Sequence, residues 1–76
     1  MYWPKLSPIR GRKLIRILEN LGFENIRQEG SHVRIEHPEG RKTSIPLHSG
    51  EKVGVGLLSK ILRDAGISRK KFEKLK

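Results

Sequence analysis

The apolar residues of this chain follow two rhythms, one helical and one extended. Leu14, Ile17, Leu18 and Leu21 recur at i, i+3, i+4 and i+7, a spacing that gathers side chains into one stripe on a helix. Gly22 comes directly after them, where the left-handed conformation that closes a helix favours glycine. Ser7-Pro8 resembles an N-cap with a first-turn proline, but Gly11 would then lie inside the helix, which moves the expected start to near Arg10. A second stripe, Leu57, Leu58, Ile61, Leu62 and Ala65, is closed by Gly66, and Gly54 and Gly56 place its main part after Val55. Ser68 is positioned to cap a last basic turn or short helix carrying Phe72 and Leu75.

Between the two stripes the pattern predicts three extended segments, at residues 23–28, 32–37 and 42–47. Gly30 separates the first pair, and Pro38-Glu39-Gly40 forms a turn signal between the second and third. In the middle segment Val33 and Ile35 point one way while His32, Arg34 and Glu36 point the other. In the third, Thr43, Ile45 and Leu47 share a face opposite Lys42 and Ser44, with Pro46 near the end, where a missing donor is tolerated. Two striped helices and a sheet with one apolar face have a simple packing solution. The expected fold is α+β, in the order α-β-β-β-α, with a three-stranded antiparallel sheet and both helices on one face. The opposite sheet face, carrying His32, Arg34, Lys42 and Ser44, is then left open.

Size and charge narrow the reading. At 76 residues the chain is expected to form a single domain, residues 1–76, with no internal repeat or linker. Lysine and arginine number 17 against 8 acidic residues, giving a net charge of +9, so the expected partner is anionic, with nucleic acid foremost. No apolar run approaches the roughly 20 residues of a membrane helix, and Met1-Tyr2-Trp3-Pro4-Lys5 lacks a signal peptide's apolar stretch. A cytoplasmic protein is expected. The absence of cysteine removes disulfides, thiolate metal sites and a cysteine nucleophile.

Catalytic candidates are therefore His32, His37 and His48, together with the carboxylates. With an unperturbed pKa of about 6.5, histidine can accept and return a proton near neutral pH, as RNA cleavage through the ribose 2′-hydroxyl requires. The charge that develops on phosphorus needs cationic or backbone donors nearby. His32 meets these needs best. Gly30 lets the backbone bend and a phosphate approach closely, Ser31 can donate to a substrate oxygen, and Arg34 shares the face of His32. A bare Gly-Ser-His tripeptide is more often a surface histidine after a turn, so it is the position of His32 that singles it out. His37, before Pro38 at a turn, reads as structural, and His48 reads as a loop residue that could also line the same site. The three histidines lack the spacing or carboxylate partner of a zinc site, so no metal and no cofactor are expected. Trp3 and Tyr2 read as a lid on the core in preference to a base-stacking platform. Arg12, Lys13, Arg16, Lys52, Lys60 and Arg63 are plausible phosphate contacts.

Taken in order, several segments together resemble the HicA toxin family: the helix ending in Leu21-Gly22-Phe23, then Gly30-Ser31-His32, the turn His37-Pro38-Glu39-Gly40-Arg41, Ile45-Pro46-Leu47-His48, and Gly56-Leu57-Leu58 through Ile61-Leu62 to Ala65-Gly66-Ile67-Ser68. The resemblance spans nearly the whole chain. It departs at Arg10, where many relatives have serine or another capping residue before the glycine. The resemblance implies a double-stranded-RNA-binding-domain-like fold and a ribonuclease that cuts messenger RNA. It also implies a cognate HicB-like antitoxin protein that covers the active site. The family's catalytic histidine lies in its Gly-Ser-His motif, which carries over onto His32, with Gly30, Ser31, Arg34, Lys42, Lys13 and Lys60 as expected RNA contacts. A non-catalytic RNA-binding module of the same fold is the alternative, and an interaction protein that holds an acidic partner is a third.

If RNA is the partner, affinity should fall with salt. About five phosphate contacts give a log–log slope of roughly −3.5 on single strands, measurable by fluorescence anisotropy with a labelled oligoribonucleotide. A flat response would assign the positive charge to solubility or to the antitoxin.

Overall fold

The computed structural model describes residues 5–47 and 52–76. The elements run β1 (Ile9–Arg10), α1 (Gly11–Asn20), β2 (Glu24–Glu29), β3 (His32–Glu36), β4 (Lys42–Pro46), β5 (Lys52–Val53), α2 (Val55–Ala65) and α3 (Arg69–Leu75). Strands β2, β3 and β4 form an antiparallel sheet in sequence order. Both long helices contribute their stripes to one core with the inner face of this sheet: Leu14, Leu18, Leu58 and Ile61 from the helices, and Val33, Ile35 and Ile45 from the strands. This is the expected α+β fold, with a double-stranded-RNA-binding-domain-like arrangement.

Helix α1 begins where the sequence left two choices. Arg10 is its extended N-cap, and no side chain caps it. Gly11 is thus the first helical residue, and its role is steric. It is buried, and a Cβ placed there would lie 2.5 Å from the Pro46 carbonyl oxygen and 2.8 Å from Leu47 Cδ2. The absence of a side chain lets the start of α1 press against the end of β4. The helix closes as predicted: Gly22 has φ +96°, its N–H donates to Glu19 O, and the Phe23 N–H donates to Leu18 O. That is a Schellman closure, with Phe23 and Leu18 both buried beneath it.

The β3–β4 turn is pinned to the ends of both helices. His37 Nδ1 accepts from the Glu39 N–H at 3.0 Å, and its ring meets Phe23 edge-on at 4.9 Å. The Arg41 guanidinium lies 5.7 Å from the Phe23 ring centre, bonds Glu39 Oε1 at 2.8 Å, and packs against Gly66 at the end of α2. His37 is thus a turn residue, as its place before Pro38 indicated.

One feature lies beyond the predicted pattern, and the basic tail takes the helical form that Ser68 and Phe72 led one to expect. Ile9 and Arg10 pair with Val53 and Lys52 in a separate two-stranded ladder, which ties the start of α1 to the approach to α2. The tail forms α3, whose Ser68 Oγ accepts from the Lys71 N–H at 3.1 Å and whose Phe72 is only 1% exposed, so the last helix docks on the core. The expectations for Trp3, Tyr2 and His48 concern residues outside those described.

Gly11→Ala should cost about 1–3 kcal/mol through overpacking, lowering Tm by roughly 5–15 °C for a domain of this size. Gly56→Ala, in the first turn of α2 with no atom within 4 Å of an added Cβ, should leave Tm unchanged or raise it. Calorimetry on the two variants checks the contrast, and equal Tm values would contradict the close approach.

Candidate functional site

The site is built by the alternation of β3. Val33 and Ile35 are buried at 1% and 0% exposure, so the pleat turns His32 and Arg34 to the outer face, where both are exposed. Register carries the pattern across the sheet, setting His32 opposite Pro46, Arg34 opposite Ser44 and Glu36 opposite Lys42. Residues directly opposite share a face, so Lys42 and Ser44 join His32 and Arg34 as expected.

The turn before His32 is short. Glu29 pairs with His32, leaving Gly30 and Ser31 as a two-residue hairpin loop. Gly30 has φ +59°, the conformation this turn needs at its first central position, while Ser31 keeps an ordinary φ. The Ser31 carbonyl then accepts from the Leu47 N–H, which continues the ladder past Pro46 and anchors the turn to the end of β4. Nothing stands within 4 Å of where a Gly30 side chain would begin, so that side of the turn is open space.

Beside this face lies a groove of about 620 Å³ between β4 and the start of α2. His32, Arg34, Lys42, Ser44, Lys52 and Lys60 are the polar lining residues that bear on its chemistry. Among the described residues, four cations face one carboxylate there, Asp64, which pairs with Lys60 at 3.1 Å one helical turn away. Of the predicted site residues, the groove gathers His32, Arg34, Lys42 and Lys60, with Gly30 and Ser31 forming the turn that leads into it. Lys13 is exposed on α1 and lines neither this groove nor the one described below.

Sequence spacing did not foresee three participants. Leu57 belongs to the apolar stripe by spacing but is 42% exposed, and it lines the groove. Asp64 lies on the polar flank of α2 and enters the groove because that helix runs alongside β4. Glu29 sits directly across from His32 on the same face, with Arg27 Nε 3.1 Å from its carboxylate. That last placement requires the strand register.

An α+β domain of double-stranded-RNA-binding-domain-like arrangement, with an open cationic sheet face and a histidine at its edge, is the class that fold and site define. Within that class the chain belongs to the HicA toxin family: a family model described as the HicA toxin of bacterial toxin-antitoxin matches residues 11–67, from the first residue of α1 to the buried Ile67 beyond α2. No curated protein matches the chain at significant similarity. Membership gives the protein a toxin's role within a toxin–antitoxin pair, and the matched span includes every residue of the groove.

Asp64→Asn removes a carboxylate from the groove and releases Lys60. Affinity for a labelled heparin oligosaccharide should rise about twofold to fivefold at low salt, since one repulsive charge is lost near the bound polyanion. Unchanged or weaker binding would mean that the polyanion is held elsewhere.

Proposed function

We propose that this toxin is a metal-independent endoribonuclease that cleaves messenger RNA, with His32 as its catalytic histidine, and that a HicB-like antitoxin inhibits it by covering the groove. The observation that carries the reading is the meeting of His32 with Arg34, Lys42, Lys52 and Lys60 along one open groove. A titratable group and several phosphate-seeking cations are what ribose-assisted cleavage asks of a protein.

In this reading the RNA backbone lies along the groove, with phosphates on Lys42, Lys52 and Lys60 and on the open side of the turn at Gly30. The 2′-oxygen bonds to the adjacent phosphorus as the bond from phosphorus to the 5′-oxygen breaks. The 2′-hydroxyl loses its proton, and the departing 5′-oxygen gains one. His32 performs one of these transfers, and water, the substrate or His48 performs the other. Arg34, on the same face as His32, offsets the charge that builds on the phosphoryl oxygens. Ser31 donates to one of those oxygens. Exposed Val55 and Leu57 at the start of α2 offer the antitoxin an apolar contact within a charged surface.

The alternative of a non-catalytic RNA-binding module needs the same cations but no histidine, so one substitution separates the two. His32→Ala, at an exposed strand position, should keep the fold and hold RNA within about threefold, while cleavage of a long RNA in EDTA falls by roughly 10²–10⁴. Full cleavage by the variant would remove His32 from the mechanism. Binding without cleavage by the unmodified protein would favour the module.

A further inference from the structure

A second groove, of about 390 Å³, lies between α1 and β2 on the helix-covered side of the molecule. Arg12, Arg16, Glu19, Asn25 and Gln28 supply its polar lining. Each of these is exposed, and none belongs to the groove that holds His32.

A β-bulge builds this lining. Asn25 pairs with Ile35 and Gln28 with Val33, and the register shifts between Asn25 and Arg27, so Ile26 is the extra residue. In a regular strand, residues three apart point to opposite faces. The bulge restores Asn25 and Gln28 to one face, the face of Val33 and Ile35, and leaves Ile26 47% exposed at the sheet edge. Helix α1 presents Arg12 and Arg16 to the same space, one turn apart. The bulge thus sets two amides opposite two arginines of α1, with Glu19 as the carboxylate among the described lining residues.

The groove also touches the proposed cleavage site. Gln28 Nε2 donates to the Gly30 carbonyl at 3.0 Å, which orients its amide and keeps Oε1 available as an acceptor. Leu47 lines the groove, and its N–H holds the Ser31 carbonyl. The Gly30–Ser31 turn therefore borders this groove on one side and leads to His32 on the other.

We infer that the α1–β2 groove binds a single-stranded RNA segment flanking the cleaved bond, with Arg12 and Arg16 on phosphates and Asn25 and Gln28 reading a base. This rests on the ribonuclease reading above and adds to it a determinant of cleavage-site preference. Charge favours an anionic occupant, and the paired amides favour one with donor and acceptor edges, since Asn and Gln can each make two hydrogen bonds to a base edge.

The test maps cleavage positions in a random-sequence RNA pool for the unmodified protein, Asn25→Ala/Gln28→Ala and Arg12→Gln/Arg16→Gln. RNA affinity is measured in parallel with the same changes on a His32→Ala background. The amide variant should lose about tenfold in base discrimination at one nucleotide beside the cut. The arginine variant should keep that preference, bind a 12-nucleotide RNA about fivefold to tenfold more weakly, and show a salt slope shallower by roughly 1.4. Wild-type-like profiles and affinities in both variants, with cleavage still dependent on His32, would overturn this inference alone. Loss of antitoxin binding with RNA affinity and cleavage profile unchanged would overturn it in favour of a protein partner. An unmodified protein that neither binds nor cuts the pool would take down the ribonuclease reading and this inference together.

Discussion

Val33 and Ile35 must be buried, and a five-residue strand can bury them only by turning His32 and Arg34 outward. The candidate site depends on this constraint. Slipping β3 by one residue would place a histidine and an arginine in the core and expose two of its best-packed side chains, a cost the fold does not tolerate. Because β4 obeys the same alternation in fixed register, burial of Thr43 and Ile45 sends Lys42 and Ser44 to join them. The positive face is thus the complement of the apolar one, and core packing holds it in place.

Rigid supports surround that face. Gly11 lets α1 press on the end of β4, and the Ser31 carbonyl is tied to Leu47 beside the same contact. The turn that introduces His32 is therefore braced on one side by the sheet and on the other by the start of a helix. At the far end, His37 and Arg41 fasten the β3–β4 turn to Phe23 and Gly66. Two histidines at opposite ends of β3 thus have different tasks: one packs in a turn, and the other stands beside a groove.

Most of this order was legible because periodicity reports burial directly. The stripe from Leu14 to Leu21, the alternation from His32 to Glu36 and the glycines at 22, 30 and 66 each carry a local physical signal. What escaped the sequence depends on contacts between distant segments. A two-residue ladder such as Ile9–Arg10 with Lys52–Val53 is too short to show a period. The closeness of Gly11 to Pro46 is invisible until the helix and sheet are docked. Leu57 fits the stripe by spacing yet lies at its margin, where the groove opens. The bulge at Ile26, which puts Asn25 and Gln28 on one face, left no sign in a strand exposed along its whole length. The role of Gly30-Ser31-His32 was legible in part: its exposure followed from alternation, while the cations beside it came partly from α2 and β5, far along the chain.

The central claim is that the ribose 2′-hydroxyl is the nucleophile at a site served by His32. Its most direct test uses an RNA with one preferred cleavage site, bearing a single 2′-O-methyl group on the nucleotide 5′ to that bond. Cleavage at that bond should disappear while the unmodified RNA yields fragments ending in a 2′,3′-cyclic phosphate. Continued cutting at the methylated position would contradict the account.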